Sequence, residues 1–268
     1  MFSYSLRQSF SNIFDNKELI LALVKRDVLI RYKGSILGGL WNIINPLLML
    51  AIYGFVFGIV FKAKWGVDTD KNFAMILFCG LMVHTFVAEV INGCPLLIQS
   101  NANYVKKVVF PLEILPIKVV MVSLFNHIIS LAILIFFIVS MGFGFAISWL
   151  YYPLLLFPLI CISLGIGYIV TSMGAYVKDT AYIVGFITTI LLFLSPIFYP
   201  VSAIPEKYHV FIFMNPFAYL IEQAREILIY DNMPDISGLV TYSIFSILFL
   251  LISMKFFNKL KAGFSDVI

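Results

Sequence analysis

Three ionisable side chains stand in stretches otherwise almost free of charge. His84 and Glu89 lie in FAMILFCGLMVHTFVAEVING, and His127 lies in the apolar run over residues 114–140. An ionisable group at depth in an apolar segment is a candidate for a proton relay, an ion path or acid–base work. The alternatives are a hydrogen-bonded packing role or a place near a membrane boundary. His84 and Glu89 are five residues apart, which turns them about 140° from one another on a helix and predicts separate surroundings. Other chemistries lack their patterns. Lys33-Gly34-Ser35 has no preceding glycine at phosphate-loop spacing, and Gly165-x-Gly167 is followed by Val170 where a third glycine is needed for a dinucleotide turn. Neither a zinc-protease helix nor a nucleophile elbow occurs. Cys79, Cys94 and Cys161 have no C-x-x-C spacing and read as buried small hydrophobes.

The elements that would hold these groups are membrane helices. The chain has 268 residues, 62% hydrophobic and 12% charged, where soluble domains carry about 25% charge. Its long uncharged runs are continuous rather than alternating, which predicts an all-α integral membrane protein and disfavours a barrel. Residues 1–18 lack the pattern of a cleavable signal peptide. Six transmembrane helices are expected, over residues 36–61, 73–98, 114–140, 149–177, 181–198 and 239–257. Asn45-Pro46 predicts a kink in the first. Gly54 and Gly58 offer a surface for close helix approach, and Gly93 and Pro95 predict bends in the second. Lys118 is placed to snorkel from the start of the third.

Charge sets the orientation. Lys25 to Lys33 holds four cations and one anion, and the following sixteen residues hold none. A charge at the bilayer centre costs about 2.5–3.5 kcal/mol even on the lenient insertion scale, so this switch marks entry into lipid from the cytoplasm. With six spans, twelve Lys and Arg fall on cytoplasmic segments and five (Lys62, Lys64, Lys71, Lys207, Arg225) on external ones. Both termini are therefore expected in the cytoplasm. The small net charge of +4 gives no sign of nucleic-acid binding. Residues 1–16 show no strong pattern. Residues 17–33 predict a surface helix capped by Asp15 or Asn16, with Leu21, Val24, Val28 and Tyr32 on one face and Leu19, Leu23 and Ile30 opposite. The expected division is a cytoplasmic segment and interface helix over 1–33, a transmembrane domain over 34–260 and a tail over 261–268.

On the outer side, residues 201–236 form the longest stretch between spans. Asn215-Pro216 reads as a helix start. Phe217, Leu220, Ile221, Ala224 and Leu228 make one apolar stripe, with Glu222, Gln223, Arg225 and Glu226 on the other face. The chain holds 27 Phe, 14 Tyr and 3 Trp. Most must face lipid or pack the interior, but Trp41, Tyr53, Phe57, Phe193, Phe198 and Tyr199 are candidates for a path along which a sugar chain slides over broad apolar faces.

Four motifs carry a resemblance over nearly the whole chain: RDVLIRYKGSILGGLWNIINP (26–46), FPLEILP (110–116), SPIFYP (195–200) and NPFAYLIEQAR (215–225). They resemble membrane subunits of type-2 ABC exporters, in particular the polysaccharide branch and its O-antigen exporters. The resemblance implies a bacterial inner-membrane permease that forms a homodimer and joins two nucleotide-binding subunits, which hold ATP and Mg. No cofactor is implied in this chain. The substrate implied is a glycan on a polyprenyl diphosphate. The N-terminal helix becomes an interface helix, the 100–107 loop a coupling element and 201–230 a pair of re-entrant helices. Arg26, Asp27, Arg31, Tyr104, Lys106 and Lys107 are the coupling candidates. Arg26, Arg31 and Lys33 attract the diphosphate on one reading, and set topology or bind headgroups on the other. A teichoic-acid or capsular polysaccharide exporter is the alternative of the same architecture; an intramembrane glycosyltransferase or a scaffold is the alternative of another class.

Overall fold

The computed structural model describes residues 6–31, 33–61, 65, 73–105 and 110–267. Among them every regular element is a helix. In chain order these are α1 (Leu6–Asp15), α2 (Lys17–Ile30), α3 (Trp41–Tyr53), α4 (Phe73–Gly93), α5 (Leu97–Ser100), α6 (Ala102–Val105), α7 (Ile114–Ser140), α8 (Tyr152–Tyr176), α9 (Thr180–Leu194), α10 (His209–Phe213), α11 (Ala218–Leu228) and α12 (Ile236–Lys261). Five helical runs among the described residues are long and apolar enough to cross a bilayer: Gly38–Val60, Phe73–Gly93, Ile114–Ser140, Ile147–Tyr176 and Ile236–Lys261. The expected fifth span is shorter than its apolar stretch. The helix stops at Leu194, and its fifteen residues rise about 22 Å against a hydrocarbon core of about 30 Å. Pro196 cannot continue it.

The first run is helical throughout but changes pitch. A 3₁₀ turn (Gly38–Leu40) leads into α3, and α3 passes into a π-helical segment (Gly54–Val60). Pro46 sits inside α3. Gly54 meets α4 closely, its missing Cβ position 3.5 Å from Ala74 Cβ, whereas Gly58 has open space around it. The paired-glycine expectation therefore holds for one of the two.

Helix α4 is the centre of the bundle. Most of its side chains are buried, packed by α7, α8, α9 and α11. Helix α8 packs most extensively on α12. Gly165 lies against Phe249 and Leu250 of α12, and Gly167 against Cys94, so these glycines serve helix packing. The second span ends at Gly93, and the chain turns before α5. That turn is seated on α8: a Cβ added at Gly174 would fall 1.9 Å from the Pro95 carbonyl oxygen, and Gln99 Nε2 donates to the Gly174 carbonyl at 3.1 Å. By contrast α3, the π-helical segment after it and α9 leave large apolar side chains exposed, among them Ile52, Phe55, Ile183, Phe186 and Phe193. That is expected of faces meeting lipid or another helix.

One end of the bundle gathers α1, α2, α5, α6 and the end of α12; we call it the basic end. Residues 1–16 show no strong sequence pattern, yet Leu6–Asp15 is a helix, with its Leu6 and Ile13 packed against the bundle. Asn16 occupies the position before α2 but makes no cap; its amide donates to the Asn12 carbonyl at 2.8 Å. The two-sided reading of α2 resolves into one buried strip. Ile20 and Leu23 pack on Ile114, while Leu21, Leu29 and Ile30 are exposed.

Candidate functional site

At the basic end α2 is fastened to the spans by ion pairs. Asp27 accepts from Lys118 Nζ of α7 at 2.7 Å and from Arg26 at 3.0 Å. Arg26 Nη1 donates to the Tyr104 hydroxyl of α6 at 3.1 Å. The Tyr104 ring stacks on Phe110 with centroids 4.5 Å apart. One turn further, at the C-terminal cap of α2, Arg31 pairs with Glu89 of α4 at 3.1 Å, and Asn126 of α7 donates to the other Glu89 oxygen at 2.8 Å. A single short helix therefore grips α4, α6 and α7 through charge-assisted bonds, the stronger class of hydrogen bond. Lys118 does not snorkel to water as expected; it is 4% exposed and ends on Asp27. Glu89 sits one turn from the end of α4, near the basic end. Lys106 and Lys107 lie outside the described residues.

A second junction centres on Glu113 of the FPLEILP motif. Its carboxylate is fully buried, and accepts from Asn12 Nδ2 of α1 at 2.7 Å and from Lys261 Nζ of α12 at 2.5 Å. Asn258 donates to Ser9 at 2.8 Å, and the Tyr168 hydroxyl donates to the Glu113 carbonyl at 3.0 Å. Both ends of the chain are thus tied to the start of α7.

The opposite end is aromatic. Phe57 lies 5.7 Å from Phe73 and 5.8 Å from Phe198; Phe198 lies 6.3 Å from Tyr53 and 5.9 Å from Phe193. The Tyr199 hydroxyl donates to the Phe193 carbonyl at 2.6 Å. Five of the six aromatics singled out from sequence share this cluster. Trp41 is apart, near the basic end, with its indole N–H donated to Ser35 at 2.8 Å. The SPIFYP and NPFAYL motifs are joined here: Asn215 donates to Ser195 at 2.7 Å and accepts from the Phe217 amide at 2.9 Å. Asn215 therefore closes a turn ahead of the helix rather than capping it: Phe217 occupies the cap position, and α11 begins two residues later than Pro216 suggested.

The apolar stripe of α11 is buried as expected, but Arg225 is not on an outer polar face. It is completely buried. It donates to Glu222 at 2.7 Å, to the Ile197 carbonyl at 3.1 Å and to the Ile76 carbonyl at 3.3 Å, and lies over the Trp65 ring at 4.3 Å. Gly80 leaves the room, since a Cβ there would sit 2.8 Å from Arg225 Nη2. A guanidinium spread over several acceptors and a ring can be buried where a lysine would not satisfy the same fork. The helical wheel puts position 225 beside the stripe, and only the packing of α11 between α4 and α8 decides that this edge faces inward.

Between the two ends lies a cavity of about 280 Å³ bounded by α3, α4 and α7. His84 and Glu89 both line it, which corrects the expectation of separate surroundings; the two side chains make no direct bond, but the cavity is broad enough to reach both. His84 bonds the Thr188 carbonyl at 3.1 Å. His127 lies elsewhere, buried between the Met82 carbonyl (3.3 Å) and the Tyr152 hydroxyl (2.8 Å). Its two ring nitrogens are occupied and it does not face the cavity, so it reads as a packing group. Sequence reasoning missed Glu113, for which a charge inside the apolar FPLEILP motif was the available signal, and misplaced Arg225, which stands among polar neighbours and is turned inward only by packing.

The sequence pattern of the family described as ABC-2 type transporter matches residues 18–229. The chain is 27% identical to an O-antigen export system permease protein RfbA of Klebsiella pneumoniae, over 99% of this chain and all of that one. It is 26% identical to the protein of the same name from Myxococcus xanthus, over 96% of this chain and 97% of that one. A polysialic acid transport protein KpsM of Escherichia coli is 27% identical over 78% of this chain and 81% of its own length.

Proposed function

Because the chain belongs to the ABC-2 type transporter family, we propose that it is the membrane subunit of an ATP-driven exporter of polyprenyl-diphosphate-linked polysaccharide, of the O-antigen class, across a bacterial inner membrane. The observation that carries this reading is the end-to-end likeness to O-antigen export permeases. Capsular polysaccharide export is the second reading, favoured by the likeness to a polysialic acid transport protein over a smaller share of the chain. Two copies of the chain pair with two copies of an ATP-hydrolysing subunit. Both termini lie in the cytoplasm, and α9 with the residues after it completes a sixth crossing. Helices α10 and α11 form the external re-entrant pair.

In this scheme the basic end receives the push of nucleotide-driven closure. Force on α2 or on the Tyr104 segment passes through Asp27–Lys118 to α7 and through Arg31–Glu89 to α4. Lys106 and Lys107 extend the contact with the ATPase. The spans then part along the exposed faces of α3 and α9, and the glycan leaves past the Tyr53–Phe57–Phe198 aromatics. Aromatic faces hold sugar rings without fixed directional bonds, which suits a moving polymer. The test is reconstitution with the ATPase subunit in vesicles and measurement of ATP-dependent movement of a lipid-linked glycan. Absence of movement by the assembled complex, or nucleotide hydrolysis by this chain alone, overturns the proposal.

A further inference from the structure

The connection between α7 and α8, residues 141–151, has two unlike sides. It carries no charge. A turn with Gly142 and Gly144 at φ of +86° and +73° leads into the 3₁₀ run Ile147–Tyr151, which continues into α8. On one side Phe145, Ile147 and Leu150 are 82%, 77% and 80% exposed. On the other side the connection reaches α11. Ser148 Oγ donates to the Ile227 carbonyl at 2.6 Å, and the Trp149 indole N–H donates to the Leu228 carbonyl at 3.2 Å. A helix leaves its last four carbonyls without partners of its own. In α11 two of these, on Arg225 and Glu226, accept from the backbone amides of Ile229, Tyr230 and Asn232. The other two, on Ile227 and Leu228, are the ones that Ser148 and Trp149 satisfy.

What covers the bare side follows from its continuity with a span. Ile147, Leu150, Leu154 and Phe157 are spaced as neighbours on one helical stripe, and all four are exposed. The later half of that stripe belongs to a helix long and apolar enough to cross a bilayer. Helix α7 starts at the basic end, and its 27 residues rise about 40 Å, so the connection lies where the bilayer ends on the opposite side. From this we infer that residues 141–151 are a lipid-seated strap: the apolar side is buried in the leaflet opposite the basic end, and the polar side holds α11 at that depth. An uncharged segment with one apolar face belongs at the boundary of headgroups and acyl chains. Arg225 stands one turn before the two carbonyls and donates to Ile197 of SPIFYP, so the hold on α11 extends to the turn that follows α9. The inference needs only the membrane reading and is independent of what is exported.

The test uses the full chain in vesicles of phosphatidylethanolamine and phosphatidylglycerol. The three native cysteines are buried, so a fluorophore attached at Phe145→Cys reports on the connection. Its emission should be lost to lipids brominated high on the acyl chain and kept against aqueous iodide. Quenching by iodide, or protection from both quenchers by a second copy of the chain, overturns the seat in lipid. Amide hydrogen exchange tests the hold on α11. Ser148→Ala with Trp149→Phe removes both donors and should speed exchange over residues 218–228 by about fivefold, while residues 17–30 at the basic end keep their rate. Ile147→Gln with Leu150→Gln keeps both donors but unseats the strap, and should speed exchange over the same residues of α11. Unchanged exchange there in either variant, or an equal rise throughout the chain, overturns the strap. Should these variants fail to fold, the quenching at Phe145→Cys still decides whether the connection is seated in lipid.

Discussion

Glu113 allows a test in which the physics predicts an order of effects rather than a simple loss. Its carboxylate is fully buried with two donors, Lys261 at 2.5 Å and Asn12 at 2.7 Å, and Lys261 has a side chain 12% exposed. Lys261→Met leaves a buried carboxylate with only an amide to hold it. Breaking a buried pair in this way costs about 3–5 kcal/mol. Glu113→Gln removes the buried charge instead. The neutral amide can still be bonded by Asn12, and Lys261, nearer the surface, can reach water. That change should cost about 1–2 kcal/mol, the scale of one exchanged hydrogen bond. The double variant Glu113→Leu with Lys261→Met removes both charges and should recover most of the loss of Lys261→Met alone, because a buried pair is worth little against well-packed apolar groups. The assay is denaturant unfolding of the purified protein in detergent, read by tryptophan fluorescence. If the double variant is as unstable as Lys261→Met, or if Glu113→Gln is the worse single change, the pairing does not carry the energy assigned to it.

Two further outcomes test the packing and the belt of ion pairs. Gly174→Ala should sharply lower the folded yield, since its Cβ would lie 1.9 Å from a backbone oxygen of Pro95, whereas Gly185→Ala, with nothing within 4 Å, should be tolerated; size-exclusion chromatography of the two distinguishes them. Asp27→Asn should cost about 1.5–3 kcal/mol, the range for a charge-assisted bond, and the loss should shrink when Lys118→Met is also present; additive losses in a double-mutant cycle would mean that the 2.7 Å pair does not couple α2 to α7.

Much of this architecture could be read from order and composition. Continuous apolar runs force helices, because a backbone in lipid must satisfy its own polar groups, and that argument needs no neighbours. It gave the cores of the long spans, and helical periodicity gave the short α11 with its buried stripe. It failed where only a contact decides. Fifteen residues of α9 end at Leu194 because the chain turns at Ser195-Pro196, although the apolar composition continues through Phe198. The helix Leu6–Asp15 is held by Ser9 and Asn12 bonding to Asn258 and Glu113, some 100 to 250 positions away.

The linear sequence marked five long apolar stretches that form helices long enough to cross a bilayer, since the free energy of moving a side chain into hydrocarbon depends on that side chain and its immediate flanks. It also settled that Lys33-Gly34-Ser35 and Gly165-x-Gly167 lack the spacing of nucleotide loops. Only the tertiary structure decided where the charges go. Lys118 meets Asp27, Glu89 meets Arg31, Glu113 meets Lys261, and Arg225 turns inward over Trp65. Each of those depends on a partner distant in sequence, and the energy of a charge is set by what surrounds it in space.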